Sequence, residues 1–286
     1  MNKVLVIGGA NLDIKAKTLK PHIEQTSNPA YIITKAGGVG RNIAHNLARQ
    51  GANVQFVTVL GRGPEGEMVL GETNRAFVST DHVIRSEVNA TGTYIAVLDH
   101  TGELVTAVND MTILEELTPD VIHTLEAVIA GSRYVVADCN LRIDTLLALA
   151  GLCADKLLIE PVSVPKSKKL LELLSIHRIF VATPNLDQIE ALTGSRVPKE
   201  AAVILHRLGL SNVVIHAGPD GAYASDGTKL VHVPSMAAQI VDVTGAGDAA
   251  TAGLVAGLIM DMPLEKAAEV GQEMACYVIA SESSTL

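Results

Sequence analysis

The 286-residue sequence has no tryptophan and only 3% aromatic residues, so aliphatic side chains must fill any core. It has three cysteines, Cys139, Cys153 and Cys276, an odd number without metal-ligand spacing. That pattern gives no disulfide framework or zinc site and reads as free thiols of a reducing cytoplasm. Positive charge is also short: 22 Lys and Arg stand against 31 Asp and Glu, a net charge of −9. This balance argues against nucleic acid or an anionic membrane as the main partner, and a phosphate ligand would need a local dipole site. Long hydrophobic runs are missing near the start. Val4 to Ile7 is too short for a signal core or a membrane span and reads as a strand. The nine histidines are scattered and read as structural or surface residues.

What is present is aliphatic, with 48% hydrophobic residues and short continuous runs of Val, Ile and Leu. Such runs suit parallel strands buried on both faces. A strand spans 54–60, followed by a helix from Met68 to Phe77. From Thr118 onward the pattern alternates. Helices over 118–130, 143–153 and 165–174 precede strands over 134–137, 156–159 and 179–182. Helices to Leu192 and over 197–208, a strand over 213–215 and a hairpin of 222–225 with 230–233 follow. The last two helices cover 246–260 and 264–280. This order predicts an α/β fold: one doubly wound, mostly parallel sheet flanked by helices, a single domain over 1–286. Segments of about 14–36 and 88–111 carry instead short β-rich runs, with a hairpin turn at Asp99-His100-Thr101-Gly102. They predict a small β lid. A sheet that small buries little alone, so it should cover a site or pair with a second copy, giving a homodimer through the lids.

Three glycine-rich stretches carry the candidate chemistry. Val241-Asp242-Val243-Thr244-Gly245-Ala246-Gly247-Asp248 leads into the small-residue helix from Ala249 to Met260. A helix start presents unpaired N–H groups and the positive end of the macrodipole, an anion site. Asp248 then falls in the first turn, where a carboxylate beside a phosphate serves to orient a hydroxyl and accept its proton. A Gly-rich turn with Asp as an ordinary helix-start residue is the alternative at this level. Gly37-Gly38-Val39-Gly40-Arg41-Asn42 precedes a second helix, striped by Ile43, Leu47 and Ala48. Gly8-Gly9-Ala10-Asn11-Leu12-Asp13 follows the first strand, but lacks the spacing and the helix of a dinucleotide fingerprint. Asn11 and Asp13 alternate, so an extended chain turns both to one side, where they could grip a pair of hydroxyls. Ligands of such sheets sit beyond the carboxyl ends of strands. The loops expected there also bring Asp138 with Asn140, Glu160 with Ser163, Asn185 and Gly218 to one rim.

Gly37-Gly38-x-x-x-Asn42 before one helix, with Asp242-x-Thr244-Gly245-Ala246-Gly247-Asp248 before another, resembles the ribokinase-like (PfkB) carbohydrate kinases, across essentially the whole chain. The resemblance implies transfer of the ATP γ-phosphoryl to the primary hydroxyl of a small-molecule sugar or nucleoside. Asp248 would be the base, and the N–H groups of Gly245, Ala246 and Gly247 would stabilise the transferring phosphoryl. Asn11, Asp13, Gly37, Gly38 and Asn42 would hold the acceptor. The inner stretches Val108-Asn109-Asp110-Met111, Val136-Ala137-Asp138-Cys139-Asn140 and Pro161-Val162-Ser163 with Lys166 resemble members acting on a nucleoside, and the acceptor they imply is pseudouridine. They add Asn109, Asp110, Asp138, Asn140 and Lys166 to the acceptor side. Ribose, adenosine or a similar acceptor, or a nucleoside-binding protein with weak turnover, are the alternatives. Asn185, Gly218, Gly221 and Thr244 would line the nucleotide, with Mg²⁺ held mainly by phosphates and water near Asn185, and a monovalent cation such as K⁺ near Asp242 and Thr244. The sequence departs from the family in three places. Gln188 stands where the Asn-x-x-Glu motif has Glu, leaving Asp187 or Glu190 as substitutes. Gly63 stands where members often carry Asp. The chain past the last long helix, from Ser281 to Leu286, is short, so the resemblance implies a reduced adenine-side wall.

Overall fold

A computed structural model describes residues 3–236, 241–281 and 284–286. The chain runs β1 (Lys3–Ile7), β2 (Asn11–Thr18), β3 (Ala30–Gly37), α1 (Val39–Arg49), β4 (Asn53–Val57), β5 (Val59–Gly61) and α2 (Pro64–Arg75). It continues through β6 (Ile84–Ser86), β7 (Gly92–Leu98), β8 (Leu104–Asp110), α3 (Pro119–Thr124), α4 (Glu126–Gly131), β9 (Tyr134–Asp138) and α5 (Ile143–Cys153). Then come β10 (Leu157–Glu160), α6 (Val164–Ser167), α7 (Lys169–Leu174), β11 (Ile179–Ala182), α8 (Leu186–Thr193) and α9 (Pro198–Leu208). The last elements are β12 (Leu210–His216), β13 (Ala222–Ser225), β14 (Leu230–Val233), α10 (Ala246–Ile259) and α11 (Leu264–Ile279).

An eight-stranded sheet in the order β14-β13-β12-β11-β10-β9-β1-β4 forms the body. Its strands are parallel from β12 to β4, and the β13–β14 hairpin closes one edge antiparallel. Side chains alternate across each strand, so β1 sends Leu5 and Ile7 to one apolar layer and Val4 and Val6 to the other. The first layer packs on α5 through Leu146 and Leu149; the second packs on α1 and α10 through Ile43, Leu47, Leu254 and Val255. The expected α/β fold is therefore the one observed. α10 also lies close to α11: a Cβ at Gly257 would come within 2.6 Å of Ala267 Cα. That contact fixes the helix whose first turn carries Asp248.

The small sheet has four strands, β3-β2-β7-β8. β2 begins at Asn11, directly after the β1 turn, so Asn11 and Asp13 sit on this sheet rather than on a loop before it. Three expected elements are divided. The 54–60 strand splits at Thr58, because β5 leaves β4 to pair in parallel with β6. The 118–130 helix breaks at Leu125, whose φ of −99° and ψ of 6° leave the helical range. The 165–174 segment forms two short helices, α6 and α7. The helix expected to end at Phe77 instead ends at Arg75, and Phe77 turns out to solvent at a φ of 64°. Among the described residues no helix is long and apolar enough to cross a membrane.

Candidate active site

Gly245 is the residue that starts α10. Its φ is 83°, and a Cβ there would lie 2.4 Å from the Ser284 carbonyl oxygen, so the turn requires glycine. No side chain caps this helix. Ala246 N–H donates back to Val243 O at 3.3 Å, while the N–H groups of Gly247 and Asp248 have no partner among the described residues. Gly247 faces open space: a Cβ there would meet nothing within 4 Å. These groups border a cavity of about 610 Å³. Asn185, from the turn after β11, and Gly218 and Gly221, from the turn after β12, line the same cavity. The carboxyl ends of the strands thus gather most of the expected nucleotide-side residues, as open parallel sheets do. Thr244 lies apart, on a neighbouring cavity of about 300 Å³ shared with Asp13, Lys15 and Asp242.

Asp248 stands at the boundary of the two sides. Asn42 Nδ2 donates to Asp248 Oδ2 at 2.9 Å, across 206 residues of sequence. Asn42 Oδ1 is buried and has no partner among the described residues, so it is left to accept from a ligand hydroxyl. Burial raises the Asp248 pKa well above the ordinary carboxylate value. The Asn42 hydrogen bond opposes this, and the charges of Glu160, Asp138 and Asp13 add to it. A carboxylate held in this way is a stronger proton acceptor than a free one. Asn42 is placed by Gly38, which starts α1 at a φ of 101° where a Cβ would collide with Gly9 and Ala10.

In the small sheet, Asn11 Nδ2 donates to Asp13 Oδ1 at 2.6 Å. Gly37 is paired across from Asn11, and a Cβ on it would collide with the Asp13 carboxylate. Burial raises the Asp13 pKa, against the pull of the Asn11 bond and the charges of Lys15 and Arg41. Asp138 is fully buried beneath this turn: Oδ2 accepts from Gly9 N–H at 2.8 Å and Oδ1 from Asn140 N–H at 2.9 Å. Both its oxygens therefore hold backbone. Asn140 Oδ1 accepts from Lys166 Nζ at 2.6 Å, and the Asn140 amide packs over Gly9. Asn109 and Asp110 separate. The sheet register aligns Asn109 with Tyr94 and Asp13 on one face. Asp110 alternates to the other, and its Oδ1 accepts from Thr112 N–H at 2.9 Å.

Gln188 is not replaced by a neighbouring acid. Asp187 and Glu190 point outward and pair with Arg196. Helical spacing turns Gln188 inward instead, where it closes a capping box with Asn185: Gln188 N–H donates to Asn185 Oδ1, and Asn185 N–H donates to Gln188 Oε1. With its oxygen so engaged, Asn185 offers the cavity only its amide donors, which suit phosphate oxygens. Besides Asp248, the acid that lines the cavity is Glu160, which the sequence places on the rim without a role. Its Oε2 accepts from Thr183 Oγ1 at 2.6 Å and Thr251 Oγ1 at 2.9 Å. Burial pushes its pKa up to about 7, despite the hydroxyls of Thr183 and Thr251. Its position at the end of β10 was the available signal; the two threonines that hold it lie 23 and 91 residues away. Half-buried His216 also lines the cavity, and desolvation pushes its pKa down to about 4.

The carbohydrate kinase family described as pfkB matches residues 1–286. The chain is 31% identical to pseudouridine kinase of Escherichia coli over 98% of its length and 91% of that protein. It is 29% identical to guanosine-inosine kinase of Exiguobacterium acetylicum over 100% of this chain and 97% of that one. The structure of Arabidopsis thaliana ribokinase complexed with ribose and ATP superposes with a TM-score of 0.87 at 21% identity, covering 99% of this chain and 93% of that chain. A helix start with open N–H groups, an adjoining carboxylate and the polar Asn11–Asp13 pair are groups that phosphoryl transfer to an alcohol can use. The chain belongs to the pfkB family of carbohydrate kinases and is a sugar or nucleoside kinase, a phosphotransferase with an alcohol acceptor.

Proposed function

We propose that this kinase phosphorylates the 5′-hydroxyl of pseudouridine with ATP, giving pseudouridine 5′-phosphate and ADP. The observation that carries the reading is Asp248, held by Asn42 between the large cavity and the Asn11–Asp13 pair. Asp248 takes the proton of the acceptor hydroxyl as the oxygen attacks the γ-phosphorus. The N–H groups of Gly247 and Asp248 receive the equatorial phosphoryl oxygens, with those of Gly245 and Ala246 beside them. The transition state is loose, so alignment and charge supply most of the acceleration. Asn11 and Asp13 hold the ribose hydroxyls, and Asn42 Oδ1 accepts from the sugar. A buried acceptor left unpaired by a deoxy sugar makes that pair selective. Asn140 and Lys166 lie farther along the acceptor side and face the base.

Mg²⁺ fits the donors present. Among the described residues no cluster of three metal-binding side chains occurs. Glu160 and the phosphates, with water between, match an ion that dehydrates reluctantly. When bound it neutralises charge on the transferring phosphates. The small sheet serves as a lid over the acceptor, inserted into one domain. Its outer strands expose Tyr31, Ile33, Leu104 and Val108, which supports pairing with a second copy; sedimentation of a monomer at micromolar protein would contradict that.

Likeness to a guanosine-inosine kinase favours a purine nucleoside as the second reading. A coupled ATPase assay across pseudouridine, uridine, inosine, guanosine, adenosine and ribose separates the two. The expected result is turnover with pseudouridine and not with uridine, because the C–C glycosidic link leaves an extra ring N–H for recognition. Preferred turnover of inosine or guanosine would replace the acceptor assigned here.

A further inference from the structure

Lys15 follows Asp13 by two residues on β2, so strand alternation turns its side chain to the same face. Its ammonium spans 227 residues of sequence to reach the turn before α10. There Nζ lies 2.8 Å from Asp242 Oδ2 and donates to Thr244 Oγ1 at 3.3 Å. The second Asp242 oxygen accepts the Thr244 N–H at 2.8 Å, which folds the turn. Gly245 follows at once, and α10 begins. One carboxylate therefore holds a cation on one oxygen and the shape of the phosphate cradle on the other. Burial alone would raise the Asp242 pKa, yet the Lys15 and Thr244 hydrogen bonds bring it down to about 2, so the carboxylate stays ionised.

A separate monovalent cation does not fit this position as the chain is built. The side-chain oxygens that would hold it, Asp242 Oδ2 and Thr244 Oγ1, already face a fixed positive charge, and a second cation there would be repelled. We propose that the Lys15 ammonium is the site's own monovalent cation: it sets the 242–245 turn and ties the phosphate cradle to the strand that carries Asn11 and Asp13. Lys15 is thus a positioning residue, one that touches neither reacting atom. The inference rests on the kinase reading for its catalytic consequence, while the cation contact itself stands on the geometry. Both side chains keep roughly a third of their surface exposed, 36% and 31%. An ion pair that exposed contributes little to stability, so Lys15→Met should fold.

The test compares wild type and Lys15→Met in buffers whose cation is tetramethylammonium, too large for the turn, with K⁺ or NH₄⁺ added. Wild-type turnover should change less than twofold. Lys15→Met should lose at least tenfold in kcat and regain it saturably with K⁺ or NH₄⁺, and its melting temperature should rise with the same half-saturation while that of wild type does not. Saturable K⁺ activation of wild type would overturn the proposal. So would a Lys15→Met enzyme at full activity without a small cation, or a loss that no small cation restores. If no acceptor is turned over, the kinase reading fails by itself, and the melting-temperature comparison still decides what Lys15 does.

Discussion

The starts of α1 and α10 are built alike and do opposite things. Each follows a glycine at positive φ, 101° at Gly38 and 83° at Gly245, and neither has a side-chain cap. At α1 the chain itself fills the space. Gly9 O accepts the Arg41 N–H at 3.0 Å, and a Cβ on Gly38 would lie 2.5 Å from that same oxygen. The helix start is docked, and its product is the fixed position of Asn42. At α10 glycine is required below and absent of contacts above: Gly245 rests on Ser284, whereas Gly247 meets nothing. Its N–H groups stay available for an anion. The same signature, glycine before a helix, therefore marks a packing contact in one place and open first-turn donors, the proposed phosphate cradle, in the other. What tells them apart is whether the first-turn donors find a partner within the chain.

Substitutions can break this comparison on either side. The largest effect is expected at Asp248→Asn, which keeps the Asn42 contact within reach but removes the proton acceptor. Turnover should fall by roughly 10²–10⁴-fold with little change in acceptor affinity, read from kcat against isothermal binding of the nucleoside. Gly38→Ala and Gly245→Ala should both destabilise, by about 1–3 kcal/mol from backbone strain alone, before the contacts with Gly9 and Ser284 add to it. Denaturant midpoints check this, and an unchanged midpoint would mean the positive φ is not required.

Glu160 gives a pH test of the cavity wall. Its folded pKa of about 7 exceeds the ordinary 4.5, so the folded chain keeps a proton that the unfolded chain releases between those values. Stability should fall as pH rises through that window and level off above it, by up to about 3 kcal/mol. Glu160→Gln should flatten the dependence of melting temperature between pH 5 and pH 8. The smallest change in stability is expected at Gly247→Ala. Nothing blocks the methyl group and alanine favours helix, so the protein should be unchanged or more stable by up to about 1 kcal/mol. Affinity for ATP should nonetheless drop, because the methyl group enters the space left for phosphate. A variant as active as wild type would place the phosphate elsewhere.

Much of this was legible in the residues themselves. Continuous Val, Ile and Leu runs between helical stretches announce the parallel sheet, and Gly245 to Asp248 before a small-residue helix announces the uncapped helix start. Local signals were weaker where tertiary contact decides the outcome. Leu125, where the helix breaks, joins the core, and β5 leaves β4 to pair with β6, neither of which a local pattern marks. Gln188 illustrates the limit well. Its amide in place of a carboxylate looks like a lost metal ligand, yet it completes a cap with Asn185, and a second acid on the cavity wall, besides Asp248, comes from Glu160 at the end of β10. Lys15 was invisible for the same reason, since its partners lie more than two hundred residues away.

The proposed transfer depends on where the nucleotide's terminal phosphate lies relative to Asp248. A crystal structure with pseudouridine and a non-hydrolysable ATP analogue tests it directly. The γ-phosphate should accept from the N–H groups of Gly247 and Asp248, with the 5′-hydroxyl within hydrogen-bonding reach of the Asp248 carboxylate. A phosphate bound away from that helix start, or an Asp248 carboxylate turned from the hydroxyl, would contradict it.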